Sequence, residues 1–472
     1  MTHFPNSRTK TIFGAPGCGK TRKLMEILSD ELKQTTPDKI AFVSFTRKGA
    51  YEGRDRAMKE FGYSEDDFPF FKTLHSIAFN QGGFHQRDII KKYDYKRLSN
   101  ALNMKFVGYY TADFTGDDDK YIFYDILERN NPKLSDKYLL SLDKVMLKTV
   151  QHNYKRYKKE YRVVDFTDII ETFVKNDQPL PVKIAIIDEA QDLTYLQWRM
   201  CEVAFRNCER VYIAGDDDQA IYEWSGADVG YFLDIEGEKE ILTKSYRLQK
   251  KILNLSKIIT ASIAYRQEKD FDPINDEGNI FFHNTMQTVP IVEDESYYFL
   301  SRNNYFLYTF RHELRDKGLL FWDKDNLSID ERHIKAINNF ETLRKKPHVN
   351  YIPPSTKMFL KSQTSLQKPW YENFNLSNDL ILYYRDMIRL GTKFKDQNPN
   401  KMVNTIHGVK GGEADNVVIQ MDITKSVRAN CEVNLDSELR CLYVGVTRAK
   451  KNLHIVFSNT KHSYEDYINL RG

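Results

Sequence analysis

Nothing in this sequence approaches the roughly 18 consecutive apolar residues that a membrane-spanning helix needs, and Met1 to Lys10 holds no apolar core for a signal peptide. A soluble cytoplasmic protein with no membrane partner is therefore expected. Cysteine is scarce. The five present (Cys18, Cys201, Cys208, Cys431 and Cys441) form no C-x-x-C pair, and no histidine stands at zinc-ligand spacing from them. That argues against a disulfide scaffold or structural zinc and for reduced thiols. Net charge is small, at +4, so any nucleic-acid surface must be a local groove. No repeat of fixed period and no low-complexity tail occur. What is present is an ordinary folded composition, 29% charged and 41% hydrophobic, in 472 residues. That exceeds the roughly 250–300 residues over which one core grows, so two or more domains are expected.

The most informative stretch is Gly14-Ala15-Pro16-Gly17-Cys18-Gly19-Lys20-Thr21. It follows the apolar run Thr11-Ile12-Phe13 and opens a helical pattern with Leu24, Ile27, Leu28 and Leu32 on one face. Strand, glycine-rich loop and helix make this string a phosphate cradle. Its backbone N–H groups and the helix N-terminus would face one anion. Lys20 would reach the outer phosphates, and the Thr21 hydroxyl would serve Mg²⁺. The cradle implies a nucleoside triphosphate and leaves open the work done with it.

Further along, Lys39 to Phe45 reads as a buried parallel strand. From about 80 to 160 strand signals vanish and helical periodicity dominates, which reads as an insertion. It ends in Lys155, Arg156, Lys158, Lys159 and Arg162 interleaved with Tyr154, Tyr157 and Tyr161. Such a run suits a nucleic-acid groove or, equally, a solvated helix face over packed tyrosines. Strands resume near 184–187, 211–214 and 240–242, then at 279–283, 297–300, 417–420 and 453–457. The stretch 326–398 again lacks strand signals. Strands alternating with helices over two regions predict two α/β domains with parallel sheets.

Two strand ends carry chemistry. Ile186-Ile187-Asp188-Glu189-Ala190-Gln191-Asp192 places Asp188 on a strand expected beside the P-loop strand, where it could hold Mg²⁺, with Glu189 positioned to orient or deprotonate water. In Ala214 to Ala227, Gln219 suits a γ-phosphate sensor. Tyr222 and Trp224 offer faces for unpaired bases, each worth roughly 1–3 kcal/mol; alone, such aromatics are more often core.

These strings, with Ser44-Phe45-Thr46-Arg47-Lys48 and Thr73-Leu74-His75-Ser76, resemble in order the motifs of the UvrD/Rep family of superfamily 1 DNA helicases. The second half agrees: Thr243-Lys244-Ser245-Tyr246-Arg247, Leu300 to Asn304, Val403 to Glu413, and Leu442 to Lys450. The resemblance implies two RecA-like domains, each with a mostly helical insertion. The expected segments are 1–78, 79–160 and 161–240 for the first domain and its insertion, and 241–325, 326–398 and 399–472 for the second. It implies ATP with Mg²⁺, Arg22 and Tyr246 at the adenine, Glu413 at the ribose, and Arg247 and Arg448 reaching the γ-phosphate from the second domain. Phe45, Thr73, His75, Tyr222, Trp224, Arg302, Thr405 and His407 would line a single-strand track. Partners would be single-stranded DNA and its junctions with duplex, and replication or repair proteins; a monomer is expected.

The sequence departs from the family in places. No glutamine occurs before Gln34 to read the adenine edge, the second insertion is short, and little follows Arg448. No fused nuclease is therefore expected. The resulting expectation is an ATP-driven DNA helicase or translocase moving 3′ to 5′. An ATPase that displaces bound proteins without processive unwinding, or action on RNA, stays open.

Overall fold

The computed structural model describes residues 4, 6–45, 47–108, 118–134, 142–274, 276–346, 351–392 and 398–469. The chain divides into two compact units. The first comprises Met1–Lys250, Ile259–Asp276 and Asn434–Tyr443; the second comprises Lys251–Ile258, Glu277–Val433 and Val444–Gly472.

The first unit is built on a six-stranded sheet. Its strands are β1 (Thr9–Gly14), β2 (Ile40–Ser44), β3 (Phe71–Lys72), β4 (Ile184–Asp188), β5 (Arg210–Gly215) and β6 (Glu238–Leu242). They lie in the order β3-β2-β4-β5-β1-β6, every pair parallel. The apolar runs are continuous because both faces are covered. Ile40 and Phe42 of β2, Ile184 and Ile186 of β4, and Ile12 of β1 face the helices Lys20–Leu32 and Arg47–Phe61 through Leu24, Leu28 and Ala57. Their neighbours Ala41, Val43, Ala185, Ile187 and Phe13 face the opposite layer, with Ile77, Ile170, Phe173, Trp198 and Phe232. Strand period 2 thus feeds two cores, each buried aliphatic or aromatic side chain contributing roughly 1.5–3 kcal/mol.

The first insertion is helical among its described residues. Lys92–Leu102, Asp119–Asn130 and Lys144–Tyr161 surround a separate core that includes Tyr95, Leu98, Ile122, Leu147, Val150 and Tyr154. An ionic hub ties it to the helix Phe166–Asn176: Arg129 pairs with Asp165 and Asp168 at 2.7 Å and with Glu171 at 3.0 Å. Lys158 shares the same acids, at 2.6 Å from Asp165 and 2.8 Å from Asp168. The basic, tyrosine-rich stretch therefore resolves mainly into a helix face. Tyr154 and Tyr157 are buried, Lys158 is buried and paired, and Lys155, Arg156, Lys159 and Arg162 are exposed.

The second unit carries a seven-stranded sheet: β7 (Asn279–His283), β8 (Tyr297–Ser301), β9 (Trp322–Asp323), β10 (Asn326–Leu327), β11 (Lys401–Thr405), β12 (Ala414–Gln420) and β13 (Ala449–Val456). The order is β10-β9-β11-β8-β12-β13-β7, parallel throughout except the short β10–β9 pair. The described residues of the stretch 326–398 pack on this sheet instead of forming a separate core. Ile337, Phe340, Trp370, Phe374, Tyr384 and Met387 join Phe299, Val403 and Val418 in one cluster. No described helix is long and apolar enough to cross a membrane, and all five cysteines are buried and unpaired with one another.

Candidate active site

The cradle follows from the end of β1. After Gly14 the chain turns, with Cys18 N–H donating to Ala15 O at 3.2 Å, and enters the helix Lys20–Leu32. Gly17 and Gly19 adopt φ of 72° and 85°, a region costly for residues with a Cβ. Gly19 is the helix N-cap and supplies no side-chain acceptor, so the first-turn N–H groups and the helix dipole are presented to an anion. Lys20 Nζ donates to Gly14 O at 2.7 Å, tethered across the loop. Burial opposes its charge, yet Cys18, Asp216, Glu189 and Asp188 together hold its pKa above the ordinary value. Burial likewise pushes the Cys18 thiol up, with Lys20 opposing.

The acids sit at the end of β4. One sequence expectation is corrected here: β4 is not the neighbour of β1, because β5 lies between them. The carboxylates still reach the cradle side because parallel strands end together. Asp188 is 5% exposed; burial first, then the charge of Glu189, raises it to about 7. Glu189 N–H donates to Asp188 Oδ1 at 2.9 Å, and Glu189 itself has φ 52°. A non-glycine residue in that region is held by its surroundings. Gln191 supplies part of the hold. Its Nε2 donates to Glu189 Oε2 at 2.5 Å, while its Oε1 accepts from Asp216 N–H at 3.0 Å. Gln219 Nε2 in turn donates to Asp216 Oδ2 at 2.7 Å. Gln191 was absent from the sequence-derived site; its place in the string 188–192 was the available signal.

A second correction concerns Arg247. It was expected on the second domain, beyond a boundary at 240/241, but residues 241–250 belong to the first unit. Ser245 Oγ donates to Pro16 O at 2.9 Å and Tyr246 N–H to Gly17 O at 2.8 Å, which seats this segment on the cradle. A Cβ built on Gly17 would lie 2.3 Å from Arg247 Cβ. Tyr246 is 61% exposed, with Lys244 Nζ 5.3 Å from its ring centre. Arg22 is exposed and pairs with Glu26 at 3.3 Å.

These residues fit a nucleoside triphosphate with Mg²⁺. An uncapped helix end and a charged lysine lie in one loop. Beside them are two adjacent carboxyl groups, one lifted by burial, whose crowding a divalent ion would relieve; Thr21 is half-buried at the helix start.

The residues expected along a strand track fall in both units. In the first, Phe45 stacks on Tyr222 with centroids 5.3 Å apart and planes at 29°, and Trp224 lies over Phe123 of the insertion at 6.3 Å and 16°. Phe123 had no local sequence signal. Thr73 caps the helix Leu74–Gln81, its side chain accepting from Ser76 N–H at 3.2 Å. His75 meets Phe166 edge-on at 5.8 Å, and burial lowers its pKa to about 4. In the second unit, Arg302 follows β8 and Thr405 ends the adjacent β11, paired with Ser301, with His407 just beyond. Arg302 is buried, and Thr405 Oγ1 accepts from Gly408 N–H at 3.3 Å. Glu413 lies 3.8 Å from Lys450. Arg448 is 1% exposed. Its guanidinium donates to Val444 O at 3.0 Å and Gly412 O at 3.2 Å.

Comparison with known proteins shows the family of the chain. The family model of the UvrD/REP helicase N-terminal domain matches residues 2–240, and that of the UvrD-like helicase C-terminal domain matches 382–460. ATP-dependent DNA helicase PcrA of Staphylococcus aureus is 24% identical over 308 residues, covering 57% of this chain and 40% of that protein. PcrA of Bacillus subtilis is 24% identical over 294 residues, covering 57% and 39%. The chain thus spans about two fifths of the length of these curated relatives. The PRRSV helicase structure aligns with 98% of this chain and 55% of its own at 11% identity and a TM-score of 0.38. With the N-terminal family model covering half of the sequence and the C-terminal one following in order, the chain belongs to the UvrD/Rep helicase family.

Proposed function

We propose that this protein is an ATP-dependent DNA helicase that moves 3′ to 5′ on single-stranded DNA and separates strands as it moves. The observation that carries the reading is the gathering of Lys20, Asp188, Glu189, Gln219 and Arg247 at one end of one parallel sheet. In this reading the cradle from Gly14 to Thr21 binds the phosphates, and Thr21 and Asp188 hold Mg²⁺. The ion would neutralise charge on the phosphate oxygens. Glu189 orients the attacking water, Gln219 registers the γ-phosphate, and Arg247 and Arg448 stabilise charge developing on it. Arg22 and Tyr246 flank the adenine and Glu413 binds the ribose. Phe45, Tyr222 and Trp224 provide stacking faces for bases, with Thr73, His75, Arg302, Thr405 and His407 along the backbone.

Strand displacement on 3′-tailed, 5′-tailed and blunt duplexes tests this. ATP-dependent unwinding of the 3′-tailed substrate alone is expected. Failure on every substrate, with removal of a protein bound to the DNA, would favour a displacing ATPase instead. Stimulation of ATP turnover by DNA and not by RNA of the same sequence is also expected.

A further inference from the structure

Asp216, Asp217 and Asp218 are all fully buried, and one carboxylate oxygen of each lies within 4.8 Å of the others. Three such groups cannot stay ionised together without cations. The cation is already present. Lys269 Nζ, itself 0% exposed, stands 3.1 Å from Asp216 Oδ1 and 3.0 Å from Asp218 Oδ2, and bonds to Asp217 Oδ1. Arg266 forks onto Asp218, with Nε to Oδ1 at 2.9 Å and Nη2 to Oδ2 at 2.7 Å. The Gln267 backbone N–H donates to Asp217 Oδ2 at 2.8 Å. An ammonium group therefore fills the space that a metal would take.

The cluster leads directly to Gln219. Asp216 offers one oxygen to Lys269 and the other to Gln219 Nε2, at 2.7 Å. One of the two Nε2 hydrogens is thereby committed, which fixes the plane of the amide and the direction of the second. Burial weighs against charge on Lys269, but the three aspartates outweigh it and hold its pKa well above the ordinary range. The segment 264–269, distant in sequence from the cradle, is thus tied to the side chain read above as the γ-phosphate sensor.

We propose that Lys269, supported by Arg266, is a positioning residue for ATP turnover, acting through Asp216 to aim Gln219. This rests on the reading of Gln219 given above, and a double-mutant cycle separates the two. In the full chain with saturating single-stranded DNA, Gln219→Ala should lower kcat about tenfold or more, and Lys269→Met should do likewise with KM for ATP within about twofold. Added to Gln219→Ala, Lys269→Met should change kcat less than about twofold, because the group it aims is gone. Thermal unfolding identifies a variant that has not folded. If Lys269→Met does not fold, Arg266→Gln, which leaves the ammonium in place, takes its position in the cycle. Effects that multiply overturn the positioning role alone. A Gln219→Ala variant with wild-type kcat overturns the sensor reading and with it this proposal.

Discussion

Gly17 allows the seating of the segment Thr243–Arg247 on the cradle to be measured as an energy. Alanine at Gly17 faces two costs. Its φ of 72° lies in the left-handed region, worth about 1–2 kcal/mol for a residue with a Cβ. The new Cβ would also stand 2.3 Å from Arg247 Cβ, well inside the usual carbon contact of about 3.5–4.0 Å. The backbone on both sides must separate by more than about 1 Å, against the Tyr246–Gly17 hydrogen bond of 2.8 Å. Overpacking of this kind costs about 1–3 kcal/mol. Gly19→Ala is the internal control: its φ is 85°, but its Cβ meets only Arg22 Cβ at 3.9 Å. Urea unfolding should therefore show a loss of about 2–5 kcal/mol for Gly17→Ala and about 1–2 kcal/mol for Gly19→Ala. In an Arg247→Gly background, which removes the opposing Cβ, the cost at Gly17 should fall toward that at Gly19. Equal costs for the two alanines in the wild-type background would refute the reasoning.

Three other outcomes are expected. Lys20→Ala or Glu189→Gln should reduce ATP turnover by about 100-fold or more while single-strand binding, read by fluorescence anisotropy, persists; wild-type turnover in either would contradict the site. Arg129→Met should destabilise the chain by about 1.5–3 kcal/mol in denaturant unfolding, because it removes one of the two cations that share the buried Asp165 and leaves Lys158 in place. A loss below about 1 kcal/mol would mean the hub is solvated. The third concerns the histidine pair of β7 and β13. Thr288 Oγ1 donates to Thr285 O at 2.9 Å, so it accepts from His283 Nδ1, leaving His283 Nε2 to accept from His454 Nδ1 at 3.0 Å. Burial, then His283, lowers His454 to about 4. A histidine with a lowered folded pKa binds its proton more readily unfolded, so His454 should contribute about 1.4 kcal/mol per unit to a decline in stability from pH 6.5 toward 4. His454→Gln should flatten that slope, and an unchanged slope would assign it elsewhere.

The parallel strands were legible because burial on both faces writes them as unbroken apolar runs, as at Ile40–Val43 and Ile184–Ile187. The two-residue strands β3, β9 and β10 are too short for any periodicity to register. Strand order was not legible either: nothing local says that β5 separates β4 from β1. The cradle and the acid pair could be read because their chemistry is contiguous in sequence. Phe123 and Lys269 could not, since each owes its role to a partner brought near by folding. Lys158 shows the same limit. Its neighbours Lys155 and Lys159 are solvated, and only the distant carboxylates of Asp165 and Asp168 make it a buried ion.

The late return of Asn434–Tyr443 to the first unit has a consequence for the order in which that unit can be completed during synthesis. Asp436 accepts from the backbone N–H groups of Ala264 and Tyr265 at 2.9 Å each, Arg440 donates to Tyr265 O, and Asn434 donates to Glu223 at 2.8 Å. These partners leave the ribosome about 160 residues after Asp276, or roughly 8–30 s later at ordinary elongation rates. Until then the six strands can pair, but the segment carrying Arg266 and Lys269 lacks these late partners. The first unit is thus made in two instalments, and the backbone at Ala264 and Tyr265, just before Arg266, is the part that waits for the second.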